Sequence, residues 1–176
     1  MTWKSFHRRG EILRTVISTA DVRRDGVLPM DVEGVAETFG DELSLLGALQ
    51  LRWHTRLAGR IERELVEQPQ DPEQAVVAAW RATAEELPGV RSIVDHYRAE
   101  PIDAAMADAM ARATAKEHVL LAVMAGQASA QDEAAARVGA LIESTARARF
   151  RPFRQFAEAP PETPGLLGRL RAALAA

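Results

Sequence analysis

Histidine is the side chain most readily turned to proton transfer or metal binding near neutral pH, and this chain has four: His7, His54, His96 and His118. Three of them have chemically useful neighbours. His54 follows Trp53, His118 follows Glu117, and His96 sits in Asp95-His96-Tyr97, the most chemically loaded tripeptide in the sequence. With Trp80 added, the residues Trp53, His54, His96, Tyr97 and His118 define a candidate inter-helix pocket of mixed polarity, aromatic in its walls and polar at a few points. The plainer expectation is that the tryptophans fill the core and the histidines satisfy local hydrogen bonds.

Metal chemistry needs more ligands than the spacing provides. A di-metal carboxylate bundle uses Glu-x-x-His pairs, because that spacing turns both ligands to one helix face. No histidine here has a glutamate three residues before it. The pairs His7/Glu11 and His96/Glu100 are four apart, which ordinarily makes a surface contact of a few tenths of a kcal/mol. Cysteine is absent, removing thiolate nucleophiles, disulfides, iron–sulfur sites and the common structural zinc sites. Asp21-x-x-x-Asp25-Gly26 falls short of a calcium loop, with Arg23 at the third position and Val32 at the twelfth. No serine elbow, phosphate-cradling glycine loop or His-Glu-x-x-His motif is present. No catalytic residue, metal or cofactor is assigned.

A second cluster is basic. Arg147, Arg149, Arg151 and Arg154 alternate with Phe150, Phe153 and Phe156, a candidate patch for an anion or a partner, since guanidinium groups bind phosphates and phenylalanine stacks on bases. The whole chain is acidic, with a formal charge of −3. Nucleic-acid binding rests on phosphate neutralisation, so the charge favours a structural role for these residues.

The elements that must position these side chains are helices. Apolar residues make up 47% of the 176 residues and charged ones 27%, a globular composition rich in alanine. From Asp41 to Glu67 no proline intervenes, and Leu46, Leu49, Trp53, Leu57, Ile61 and Leu65 recur at helical spacing. That stripe predicts a helix about 40 Å long, which hides its apolar face only against other helices.

Further helices are expected from Ser5 to Arg24 and from Asp31 to Phe39, the second capped by Asp31. Another follows the Asp71-Pro72 start to about Leu87, burying Val76, Ala79, Trp80 and Leu87 with Thr83 on the same face, and a shorter one after Pro88-Gly89 carries Val90, Ile93, Val94 and Tyr97. Pro101 to Ala125 and Gln131 to Phe150 complete the set, with Val138, Leu141, Ile142 and Thr145 inward on the last. Gly47 and Gly59 mark either close helix contacts or a kink.

The expected fold is therefore an all-α, single-domain helical bundle of about five to seven helices over residues 1–150. Residues 151–176 form a proline-rich linker and a short amphipathic tail helix with Leu166, Leu167, Leu170 and Leu174. Lys4, His7, Arg8, Arg9 and Glu11 crowd the N-terminus and break any signal-peptide core. No run reaches the roughly 18–20 apolar residues that span a bilayer, and the expected location is the cytoplasm.

The chain resembles DinB-like bundles in length and helix number, but their His-x-x-x-His motif is missing, Ala122 standing four residues after His118; their metal role is not carried over. It also resembles TetR-like regulators over its first third, where Glu11 to Ala20 and Asp31 to Glu37 match the first two helices. The recognition helix would be Asp41 to Gln50, which is acidic at its start and rich in leucine, not basic as groove reading requires. Finally, Phe6-His7-Arg8-Arg9-Gly10-Glu11, Arg23-Arg24-Asp25-Gly26, Glu86-Leu87-Pro88-Gly89-Val90 and Asp95-His96-Tyr97 are similar to an uncharacterised protein family of high-GC actinobacteria, a resemblance that implies no activity.

The preferred expectation is a non-catalytic helical protein acting through protein–protein contacts, as a homodimer or with another protein partner. The alternatives are a TetR-like ligand-responsive DNA-binding regulator and a metal-dependent or small-molecule enzyme of the bundle type.

Overall fold

The computed structural model describes residues 3–148, which form seven α-helices: α1 (Trp3–Arg23), α2 (Val35–Phe39), α3 (Glu42–Glu67), α4 (Pro72–Glu86), α5 (Pro88–Ala99), α6 (Ala104–Met124) and α7 (Glu133–Ala148). The architecture is the expected all-α bundle. Aspartates open four of the helices by accepting an otherwise orphaned backbone N–H. Asp41 accepts from Ser44 at 2.7 Å, Asp71 from Gln74 at 3.0 Å, Asp103 from Met106 at 2.7 Å and Asp132 from Ala135 at 2.9 Å.

These caps correct two expected boundaries. Pro101 does not open α6, because Asp103 supplies the cap, and α7 begins at Glu133 behind Asp132. Asp31 caps nothing. Its carboxylate pairs with Arg23, 2.7 Å from Nη1, and α2 is confined to Val35–Phe39. The linker, the tail helix and Arg149, Arg151 and Arg154 lie outside the described residues, as does the side chain of Phe6.

α3 is the central rod. Leu46, Leu49, Trp53, Leu57 and Ile61 are all buried, while Leu65 is only partly covered. Each full burial of such a side chain contributes about 1.5–3 kcal/mol. α4 and α5 pack beside it and bury their expected faces: Val76, Ala79, Trp80 and Thr83 on one, Val90, Ile93, Val94 and Tyr97 on the other. Leu87 serves as both the C-cap of α4 and the N-cap of α5, with Pro88 at the first helical position, so the chain turns without a loop.

α7 buries Ile142 as expected and packs Val138 partly against the core, but its stripe is rotated from the expected one: Leu141 is 70% exposed, and the buried set is Ala135, Gly139, Ile142, Glu143 and Ala146. Small residues and one acid join Ile142 there, because here α7 lies very close to α6. A Cβ built on Gly139 would stand 1.8 Å from the carbonyl oxygen of His118. Gly89 plays the same part between α5 and α1, where a Cβ would meet the Ala20 backbone at 2.1 Å. Gly47 and Gly59 mark no close contact, since nothing lies within 4 Å of a Cβ at either. Among the described residues no helix is long and apolar enough to cross a membrane.

Candidate functional site

The close approach at Gly139 seats the next acid of its stripe, Glu143, against α6 and α5. Glu143 is 3% exposed, and its Oε2 accepts from His118 Nε2 at 2.7 Å. Arg98 Nη1 reaches both carboxylate oxygens at 3.1 Å, and Arg147 reaches Oε1 through Nε at 2.9 Å and Nη2 at 2.7 Å. Arg147 also donates to Asp95 through Nη1 at 2.9 Å and Nη2 at 2.6 Å. Asp95 in turn accepts from Arg91 at 2.6 Å.

This ionic cage ties α5, α6 and α7 together. Burial opposes the charge of Glu143, but the His118 hydrogen bond and the Arg147 and Arg98 charges outweigh it and hold the carboxyl far below its usual range. Burial likewise opposes the Asp95 charge, and Arg147 and Arg91 overcome it. Arg147 is held charged by the same two acids against its own desolvation. The guanidinium groups serve a second purpose. Arg147 lies 4.9 Å over the Trp80 ring and Arg91 lies 4.8 Å over the Trp53 ring, cation–π contacts that strengthen when desolvated.

Glu117 is the buried carboxylate with least compensation. Its Oε1 accepts from Trp80 Nε1 at 3.1 Å and stands 3.5 Å from Arg91 Nη1, while Arg91 Nη2 donates to Asp95 at 2.6 Å. The other oxygen has no hydrogen-bond partner among the described residues.

Glu117 forms part of the wall of a chamber of about 350 Å³ between α3 and α6. The chamber exists because both helices present small residues there, Gly47 on one and Ala113 and Thr114 on the other. Trp53 and Val94 line it as well, and the indole N–H of Trp53 is buried with no acceptor. His54 and Lys116 border this chamber and also an outer cleft of about 790 Å³ between α6 and the start of α7, whose apolar lining includes Val119, Leu120, Val123 and Met124.

The histidines and aromatics of the sequence-derived pocket are thus divided among three places. Trp53 and Trp80 meet edge to face at 5.8 Å, and Trp53 and His54 line the chamber. His118 points its Nε2 into the cage. His96 and Tyr97 lie elsewhere, against the loop after α1: a Cβ on Gly26 would be 3.1 Å from His96 Cβ, and the Tyr97 hydroxyl accepts from Leu28 N–H at 3.4 Å. Of the arginine patch, Arg147 is a cage residue. Among the described residues no group of three or more histidines, aspartates and glutamates is placed to hold a metal ion.

Sequence reasoning missed Glu143, Arg91, Arg98 and the chamber residues Gly47 and Lys116; Glu117 was noted beside His118 as a pocket residue, without its partners. A signal for the cage was available: Gly139, Glu143 and Arg147 share one helical face with Ala135 and Ala146. A charged pair on a face of small residues points to burial against a neighbour. No family model, curated protein or solved structure matches the chain.

Proposed function

We propose that the protein is a small-molecule-binding helical bundle whose site is the chamber between α3 and α6 with the outer cleft that adjoins it. The observation that carries this reading is the pair of spaces joined at His54 and Lys116, about 350 and 790 Å³. Both are of the size that small-molecule sites occupy, and both combine apolar walls with a few polar groups. The ionic cage is a framework in this reading: His118 and Glu143 spend their proton-transfer groups on each other and hold α7 beside the cleft.

Binding of an environment-sensitive apolar dye tests it. Ala115 lines the outer cleft and is exposed, so Ala115→Trp fills the space without disturbing the core. The expected result is one saturable site on the native chain and its loss in Ala115→Trp at an unchanged melting temperature. Absence of saturable binding, or binding indifferent to Ala115→Trp, contradicts the reading.

A second reading, action through protein contacts as a homodimer, draws on exposed apolar side chains. Val22, Leu51, Val66, Ile102 and Leu141 are 60–82% exposed, and they belong to α1, α3, the α5–α6 turn and α7, with Leu51 and Val66 about four turns apart on α3. Such scattered single residues are normal on monomer surfaces, which places this reading second. Light scattering decides it: a dimer at micromolar concentration supports it, and a monomer removes it.

A further inference from the structure

We infer that the inner chamber selects a small apolar amine, with Glu117 as the acceptor for its ammonium group. The inference rests on the ligand-binding reading above and adds the chemical class of the ligand. Arg91, Arg98 and Arg147 face three acids, buried Glu117 and Glu143 and half-buried Asp95, but they are unequally shared. Asp95 has both Arg91 and Arg147 within 2.9 Å, and Glu143 has Arg98, Arg147 and His118 within 3.1 Å. Glu117 has one guanidinium at 3.5 Å, already engaged by Asp95, and a neutral indole N–H.

A carboxylate that is 7% exposed, with one oxygen unpartnered, lining a chamber, is a site for an incoming donor. That oxygen is open to water, and an ammonium that displaces the water adds the missing positive charge to the hydrogen bond. The rest of the chamber sets the body of the ligand. Trp53, Val94, Leu51 and Ala113 are apolar walls, and Gly47 keeps the opening clear, since a Cβ there meets nothing within 4 Å. Lys116 is exposed and shared with the outer cleft, so it stands toward the mouth while the Glu117 side chain stands toward the floor.

The test is a titration of the full chain with phenethylamine, its neutral counterpart 2-phenylethanol, and 3-phenylpropionate, followed by calorimetry and tryptophan fluorescence. The amine is expected to bind at least about tenfold more tightly than the alcohol, the carboxylate most weakly of the three. Glu117→Gln keeps an oxygen acceptor for Trp80 and is expected to remove the amine's advantage while leaving alcohol binding unchanged. Gly47→Leu blocks the opening and is expected to abolish both.

Equal binding of amine and alcohol by the native chain overturns the inference without any variant, as does preference for the carboxylate or an amine affinity unmoved by Glu117→Gln. If the apolar dye binds at the cleft while the amine shows no preference, the ligand-binding reading stands and this one falls. If neither binds, both fall.

Discussion

Glu143 keeps its charge inside the protein because His118, Arg98 and Arg147 all reach it, and that arrangement makes stability depend on pH in a definite direction. Its carboxyl ionises at lower pH in the folded chain than in the unfolded one. The stabilisation is therefore fully present above the usual carboxylate range, about pH 4–5, and is lost as pH falls through that range and below it. Asp95 acts with the same sign. Urea midpoints measured from pH 7 down to pH 3 are expected to fall, and Glu143→Gln is expected to flatten that acid limb. A flat native profile contradicts the cage. Glu143→Ala removes the acceptor of His118, Arg98 and Arg147, but the two arginines stay partly solvated and Arg147 keeps Asp95, so a cost of about 1.5–3 kcal/mol at pH 7 is expected, read from the same unfolding curves.

At the scale of elements, two glycine substitutions on buried and open helix faces should move stability in opposite directions. Gly139→Ala places a methyl group where the His118 carbonyl already stands, so α7 must shift from α6. Thermal melting is expected to show a loss of at least about 2 kcal/mol, as overpacked sites do. Gly47→Ala meets nothing within 4 Å and adds helix propensity, so a gain of about 1 kcal/mol is expected. Equal effects at the two positions would contradict the packing described here.

The long apolar stripe of α3 and the faces of α4 and α5 were legible because large side chains at helical spacing report burial directly. α7 was legible only at Ile142, since the rest of its inward face is Ala135, Gly139, Glu143 and Ala146, residues that periodicity counts as neutral or exposed. The chamber was half legible. Trp53 and His54 were named from their type, but Glu117 acquires its role only from how Arg91 is shared, and residue spacing carries no information about sharing.

At the scale of the whole molecule, a binding site between α3 and α6 couples occupancy to folding. A ligand that binds only the folded chain stabilises it by about 2.7 kcal/mol at a hundredfold excess over its Kd. Saturating phenethylamine is accordingly expected to raise the melting temperature of the native chain and leave that of Gly47→Leu unmoved, as followed by circular dichroism. The central claim is that the chamber is occupied beside Trp53, and the tryptophan indole resonances in a proton–nitrogen correlation spectrum report on it most directly. Trp53 N–H has no partner while Trp80 N–H is held by Glu117. On addition of phenethylamine the Trp53 resonance is predicted to shift saturably, and Gly47→Leu to prevent the shift. Indole resonances that stay fixed through the titration, or that shift equally in Gly47→Leu, would contradict the account.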